Sequence, residues 1–227
     1  ATLVFHMKLI IVRHGETVWN EEDRIQSHHH NSPFTERGHR QNKKIMRKLS
    51  KEKIDVIYTS CLSRCIRTVE IILEGKGDIP MILEPRINQK GWGILEGMTR
   101  SEIGRQYPDS GYGADGRSIH KEKKYTFRPP GGGETWSEVE KRIHQFFIDI
   151  FKKHTDDETI LIVTHSAISR SILSQLTGIH LWNIHSEIKR TNINTFMVKK
   201  NMDGTYLILN PTLMLRYKRR LHHTFVS

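Results

Sequence analysis

The stretch Leu9-Ile10-Ile11-Val12-Arg13-His14-Gly15-Glu16-Thr17 indicates both the fold class and the place to look for a functional site. A short apolar, β-branched run that stops at a charged residue and a glycine predicts a buried strand. In α/β sheets, ligands bind beyond the carboxyl ends of the strands, where Arg13 and His14 would lie. Histidine can act as a nucleophile, arginine can orient an anion, and Gly15 lets the backbone approach a ligand closely. Taken alone, Arg13-His14-Gly15 fits a reactive site and a merely polar strand end about equally well.

Strand-like and helix-like segments alternate along the rest of the chain. This alternation predicts an α/β fold of three layers, a mostly parallel central sheet with helices on both faces. Residues 86–133 are rich in glycine and proline and are predicted to be irregular. The predicted strands are residues 8–12, 55–59, 80–83, 159–163, 195–199 and 205–209, the last two flanking a turn at Asp203-Gly204, and the predicted helices are residues 35–51, 62–73, 134–154 and 166–176.

The length of 227 residues suits one large α/β domain. We expect a single domain over residues 1–227, with residues 1–7 as a candidate extension before a natural-looking start, residues 98–133 as a lid-like insertion, and residues 212–227 as a basic tail. Two cysteines and no apolar run long enough for a membrane helix lead us to expect a cytoplasmic protein without a membrane partner.

The net charge of +11 is compatible with nucleic acid, an acidic membrane surface or phosphorylated substrates as partners. The basic residues are scattered and no nucleic-acid-binding signature is present, so we expect no nucleic-acid partner. The run His28-His29-His30 lacks acidic or cysteine partners at ligand spacing. A polar loop is therefore favoured there, and no metal is expected.

Two further segments should meet His14 at one edge of the sheet. Arg64 stands where a predicted strand gives way to a helix, and the N-terminus of a helix favours anions. His165 follows the buried strand that ends at Val163-Thr164. Together with Asn20, which could donate a hydrogen bond, these residues predict a pocket for a dianion, most simply a phosphoryl group.

Several motifs stand in a fixed order along residues 8–209. They are residues 13–20 (Arg-His-Gly-Glu-Thr-Val-Trp-Asn), 34–38 (Phe-Thr-Glu-Arg-Gly), 60–68 (Ser-Cys-Leu-Ser-Arg-Cys-Ile-Arg-Thr), 93–97 (Gly-Ile-Leu-Glu-Gly), 129–134 (Pro-Pro-Gly-Gly-Gly-Glu) and 163–165 (Val-Thr-His). In this order and spacing the chain resembles the histidine phosphatase superfamily, which has the phosphoglycerate mutase-like fold and includes cofactor-dependent phosphoglycerate mutases and fructose-2,6-bisphosphatase.

The resemblance implies a mechanism for these residues. His14 would attack phosphorus and become a phosphohistidine, which water or a second acceptor would then discharge. Arg13, Arg64 and His165 would stabilise the charge on the phosphoryl oxygens. Asn20 would be a further phosphate donor, and Gln26 and Ser27 would line the substrate. No metal or resident cofactor is implied, except 2,3-bisphosphoglycerate if the chain were a mutase.

One position departs from the pattern of this superfamily. Its members place a glutamate seven residues before the Glu-Gly pair, as the acid that protonates the leaving oxygen. Counting back from Glu96-Gly97 gives Gln89, whose amide has no proton to donate at neutral pH. Either catalysis on poor leaving groups is weak or another group serves, and Glu84 and Glu96 are the nearest candidates in the sequence.

The segment before Pro129 resembles the phosphatase branch more than the glycolytic mutases. We therefore expect a phosphomonoester hydrolase, with a mutase and a catalytically weakened interaction protein as alternatives. Its partner would be a phosphorylated small molecule or a phosphoprotein, and the resemblance makes a homodimer an open expectation. The basic segment at residues 121–128 would favour a second anionic group on the substrate, although a solvated loop fits it equally well.

Overall fold

The computed structural model describes residues 7–181, 183, 193–200, 205–209 and 224–225. The described strands form one sheet of order β3-β2-β4-β1-β5-β6-β7. β1 to β4 run parallel, and β5, β6 and β7 add to the β1 edge in antiparallel fashion. The strands are β1 (Met7–Arg13), β2 (Val56–Thr59), β3 (Met81–Leu83), β4 (Thr159–Thr164), β5 (Ile193–Lys200), β6 (Tyr206–Leu209) and β7 (Thr224–Phe225).

Seven helices accompany these strands in the described part of the chain. The longest, α6, begins with a capping box in which Thr135 and Glu138 satisfy each other's backbone N–H groups. Among the described residues, no helix is both long and apolar enough to cross a membrane. The helices are α1 (Val18–Glu21), α2 (Glu36–Leu49), α3 (Ser63–Ile72), α4 (Arg100–Gln106), α5 (Lys121–Thr126), α6 (Trp136–Lys153) and α7 (Ser166–Thr177).

Alternation of apolar side chains along the strands supplies a core on each face of the sheet. Leu9 and Ile11 of β1 point to one face and pack with the apolar side chains of α6 and α7. Ile10 and Val12 point to the other face and pack with α2 and α3. The α/β class and its three layers are therefore confirmed, and the sheet is parallel in the half that carries β1 and β4.

The prediction that residues 86–133 are irregular is wrong in part. The segment contains α4 and α5, and its apolar side chains form a small core of their own that includes Trp92, Ile103 and Tyr112. Both helices are short and carry few apolar residues, so no helical periodicity marks them. The turn at 203–204, residues 1–6 of the candidate extension, and the tail apart from 224–225 lie outside the described residues.

Candidate active site

The backbone at the end of β1 places His14 at the carboxyl edge of the sheet. Its N–H donates to the Thr164 carbonyl at 3.1 Å, and its side chain is 4% exposed. The imidazole Nδ1 lies 2.7 Å from the Gly15 carbonyl, which can only accept, so Nδ1 carries the proton and Nε2 keeps its lone pair. Burial, and then the charges of Arg64 and Arg13, hold the pKa of His14 well below its ordinary value. The ring is therefore neutral at neutral pH, as a nucleophile must be.

Arg64 brings a buried positive charge to the same place. It is the second residue of α3, and its side chain is 3% exposed. One guanidinium nitrogen, Nη2, donates to the Ser27 carbonyl at 3.1 Å, whereas the buried Nε has no hydrogen-bond partner among the described residues. A buried guanidinium with donors to spare is a suitable partner for an anion.

His165 lies immediately after β4, fully buried, with its ring centre 5.2 Å from that of His14. Its Nε2 lies 2.8 Å from the Ser60 hydroxyl. The Ser60 hydroxyl donates its single proton to Oδ1 of Asn88. The same Oδ1 also accepts the backbone N–H of Cys61 at 2.8 Å. Ser60 must then accept from His165, so the neutral ring carries its proton on Nε2. Burial, followed by the charge of Arg64, lowers the pKa of His165 well below its ordinary value.

His14 opens into a cleft of about 530 Å³. Arg13, Arg64 and two of the three predicted substrate residues, Asn20 and Gln26, line it as well. The Asn20 Oδ1 accepts the Thr17 N–H, which leaves the amide NH₂ as the donor. Gln26 accepts the Thr17 hydroxyl at 2.8 Å through Oε1.

Ser27 takes a different position from the one predicted for it. Its hydroxyl donates to the Lys90 carbonyl at 3.1 Å and accepts the Trp92 N–H at 3.2 Å, and its own carbonyl accepts from Arg64. The side chain is 2% exposed and is not among the described residues that line the cleft. Ser27 therefore positions Arg64 and the wall that contains Trp92.

Gln89 lines the cleft with His14, as the predicted acid position requires. Its Oε1 accepts the Lys90 N–H at 3.1 Å, so its amide NH₂ is the part that can donate. Its backbone carbonyl accepts from His28 Nε2 at 2.6 Å. Gln89 can thus hold an oxygen by a hydrogen bond, but it cannot protonate one.

Neither sequence candidate for a replacement acid lies in the cleft. Glu84 is bound to Arg86 at 2.7 Å, and Glu96 accepts the backbone N–H groups of Ser27, His29 and His30. Burial works to raise the pKa of both carboxyls, but these hydrogen bonds outweigh it and lower them. The expectation that Glu84 or Glu96 serves as the acid is therefore wrong, because both are structural carboxylates.

Sequence reasoning missed several residues that line the cleft. They lie far apart in the sequence, so only the tertiary structure brings them together. Trp136, the first residue of α6, is buried and also lines the cleft. The missed residues with charged or aromatic side chains are Arg24, Trp92, Arg100, Tyr112 and Arg170, and the predicted basic segment contributes Lys121 and Lys124.

The arrangement matches the chemistry of phosphoryl transfer. A neutral imidazole with a free Nε2 lone pair stands beside two guanidinium groups and a second imidazole. Such a transfer depends on positioning the nucleophile and on stabilising charge on the phosphoryl oxygens. No cluster of three or more metal-ligating side chains occurs among the described residues, and His28, His29 and His30 contact Gln89, Glu96 and Trp19 respectively.

Residues 9–205 match the family model of the histidine phosphatase superfamily (branch 1). The chain is 33% identical to phosphoserine phosphatase 1 of Hydrogenobacter thermophilus over 175 residues, which cover 77% of this chain and 78% of that protein. It is 29% identical to a 2,3-bisphosphoglycerate-dependent phosphoglycerate mutase of Bartonella tribocorum over 190 residues, covering 82% and 88% of the two chains.

Solved structures agree with this assignment. YhfR of Bacillus stearothermophilus superimposes with a TM-score of 0.72 at 26% identity, over 90% of this chain and 96% of that one. A putative α-ribazole-5′-P phosphatase of Escherichia coli gives a TM-score of 0.71 at 18% identity, over 96% and 97% of the two chains, and shows the same fold. The order of motifs, the paired histidines and these matches together establish that the chain belongs to the histidine phosphatase superfamily, branch 1.

Proposed function

We propose that the chain is a phosphatase that hydrolyses phosphorylated compounds through a phosphohistidine on His14. The observation that carries the proposal is the state of His14, which is buried, neutral and hydrogen-bonded so that Nε2 keeps its lone pair inside a cationic cleft. Relatives named as phosphatases and as mutases both match the chain, so the choice of hydrolysis over mutase chemistry is part of the proposal.

In the first step, Nε2 of His14 attacks phosphorus and the leaving oxygen departs on the opposite side. Arg13 and Arg64 hold the equatorial oxygens, where charge accumulates in the transition state. The imidazole is held rigidly by the bond from Nδ1 to the Gly15 carbonyl, which also stabilises the positive ring of the phosphohistidine. Water then attacks the same phosphorus and releases inorganic phosphate.

His165 has a different task, because its Nε2 proton is committed to Ser60. A bound dianion beside the ring would raise the pKa of His165, since an opposite charge favours the charged form. The ring would then take up a proton on Nδ1, and its positive charge would stabilise the phosphoryl oxygens. Binding of phosphate is thereby linked to uptake of a proton.

The experiment is turnover of p-nitrophenyl phosphate, compared between the native protein and His14→Ala. We expect release of phosphate by the native protein and its loss in the variant, with a rapid-quench experiment showing an acid-labile phosphoryl group on His14. The matched control is His144→Ala, which removes an exposed imidazole from α6 and should leave turnover unchanged.

Two other outcomes would overturn the proposal. Exchange between 3-phosphoglycerate and 2-phosphoglycerate in the presence of 2,3-bisphosphoglycerate, without net release of phosphate, would identify a mutase. If the protein turns over neither p-nitrophenyl phosphate nor 3-phosphoglycerate but still binds phosphate, it is a phosphate-binding interaction protein.

A further inference from the structure

The charged side chains that line the described part of the cleft are all cationic. A single bound phosphoryl dianion neutralises two such charges, so the cleft has cations beyond those that one phosphoryl group requires. Clefts lined by one sign of charge attract ligands of the opposite sign. The seven cationic residues are Arg13, Arg24, Arg64, Arg100, Lys121, Lys124 and Arg170.

Apart from Arg24, these cations divide into two groups. Arg13 and Arg64 are the charges that depress the pKa of His14, so they surround the nucleophile. The pKa of Lys124 depends on other neighbours. Burial lowers this pKa, as do the charges of Arg170 and Arg100, whereas Tyr112 raises it. Arg100, Lys124 and Arg170 line the cleft as well, and the charges of the two arginines act on Lys124.

We call this second group, with Lys121 one helical turn before Lys124, the basic patch. Lys124 and Arg170 are part-buried, whereas Arg100 is exposed and pairs with Asp23. Like charges near a part-buried ammonium destabilise it, and an anion bound there would relieve that repulsion. Arg100, Lys124 and Arg170 come from three separate helices, α4, α5 and α7, so the patch is assembled by the tertiary fold.

The aromatic residues next to the patch fix its geometry. The Lys124 ammonium lies 4.1 Å from the centre of the Tyr112 ring, a cation–π distance. Tyr112 in turn contacts Trp92, with ring centres 6.2 Å apart, and both rings line the cleft. Arg170 is held by a bond from its Nε to the Ser166 carbonyl at 3.2 Å. Lys124 and Arg170 are thus held beside an aromatic wall.

The leaving group must depart past Gln89, which offers an amide. An alkoxide is a poor leaving group, and proton donation by a general acid typically contributes about 10²–10⁴-fold to rate. A phosphate leaving group needs no such proton, because it is a stable anion at neutral pH. Fixed cations that meet this anion can stabilise the charge that develops on it.

We infer that the cleft is built for a phosphoanhydride, in which the transferred phosphoryl group is carried on a second phosphate that the basic patch holds. The inference rests on the proposed function and names its substrate class. The bond between His14 Nε2 and the terminal phosphorus forms as the bridging P–O bond breaks, and the leaving phosphate keeps the electron pair. Water then cleaves the P–N bond, which restores His14 and yields inorganic phosphate.

The test compares ADP with AMP, because the two nucleotides share a nucleoside but lose their terminal phosphoryl group from a phosphate and from an alkoxide respectively. We expect kcat/KM for ADP to exceed that for AMP by at least about 100-fold, the lower end of what a missing general acid costs. Equal or faster hydrolysis of AMP overturns the inference. If p-nitrophenyl phosphate turnover depends on His14, the proposed function stands in either case.

Variants identify the source of any preference. Lys124→Met and Arg170→Met should lower kcat/KM for ADP at least tenfold more than for p-nitrophenyl phosphate, which carries no second phosphate. The control is Lys123→Met, an exposed neighbour whose ammonium pairs with Asp109 at 2.9 Å, and it should change neither rate. Gln89→Glu should raise kcat/KM for AMP but should not raise kcat/KM for ADP. Equal losses of kcat/KM for ADP and for p-nitrophenyl phosphate in the patch variants would show that the patch does not hold the leaving phosphate.

Discussion

The protonation state of His14 is set by its burial and by two arginine charges. Burial and the charges of Arg64 and Arg13 keep its pKa well below 6.5, so falling pH inactivates the nucleophile only far on the acid side. Arg64→Met removes one of these charges and should raise the pKa of His14 toward its ordinary value. Titration of the ring by NMR checks this, with Arg67→Met, an exposed arginine on the same helix, as control. A His14 ring that titrates at or above 6.5 in the native protein would contradict the expectation.

Gly38 is required where the loop after β1 meets the start of α2. A Cβ on Gly38 would lie 2.0 Å from the Glu16 carbonyl oxygen, a backbone atom that cannot move aside cheaply. We expect Gly38→Ala to destabilise the fold by about 1–3 kcal/mol and to displace the loop that carries His14. Urea denaturation measures the loss. Gly77→Ala, where a Cβ meets nothing within 4 Å, is the matched control and should be neutral or slightly stabilising.

At the scale of elements, α6 holds the segment that presents Gln89. Arg142 donates to the backbone carbonyls of Arg86 and Asn88, the latter at 2.8 Å, and pairs with Glu134 at 2.9 Å. Glu134 also accepts the Gly91 N–H at 2.7 Å. Arg142 in α6 and Glu134 just before it thus hold both ends of residues 86–91, although this segment has little regular structure.

Removing this attachment should loosen residues 86–91 more than the rest of the fold. We expect Arg142→Met to cost about 1–3 kcal/mol of stability, because it leaves part-buried carbonyls without their donor. Hydrogen exchange should quicken across residues 86–91, and kcat/KM should fall. Lys141→Met, an exposed neighbour on α6, is the control. Unchanged exchange in the segment would show that other contacts hold it.

The elements differ in how well their sequences predict them. β1, β4 and α6 can be predicted because their apolar residues follow the pattern of a buried strand or the period of a helix. α4 and α5 are not readable in this way. Each has a single apolar or aromatic side chain that packs inward, Ile103 and Tyr125, so tertiary contacts decide their conformation.

The same distinction applies to the site. His14 and Arg64 could be predicted because each stands in a recognisable motif where a strand ends or a helix begins. Arg100 and Arg170 could not, since they lie on α4 and α7, 70 positions apart in the sequence, and only the folded chain brings them into one cleft with Lys124. Gln89 shows a further limit: its motif locates the acid position, but only the structure shows that Glu84 and Glu96 do not replace it.

At the scale of the whole molecule, Lys90 makes stability depend on pH. Its side chain is 1% exposed, and its ammonium lies 4.4 Å from the centre of the Trp92 ring with no hydrogen-bond partner among the described residues. Burial lowers the pKa of Lys90 from 10.5 to about 7, against the opposing charges of Glu134 and Glu138. Since the unfolded chain keeps the ordinary pKa, it binds a proton that the folded chain has released between about pH 7 and pH 10.5.

This difference means that the Lys90 contribution to the free energy of unfolding rises as pH increases through that window. Below pH 7 both states hold the proton, and the folded protein bears the full cost of a buried ammonium. Lys90→Met keeps the packing against Trp92 and removes the charge, so we expect it to be about 1–3 kcal/mol more stable at pH 7 and its advantage to shrink toward pH 10. Urea denaturation across this range measures both effects, with the exposed Lys44→Met as control. A Lys90→Met variant that is less stable than the native protein at pH 7 would show that the ammonium has a partner in solution.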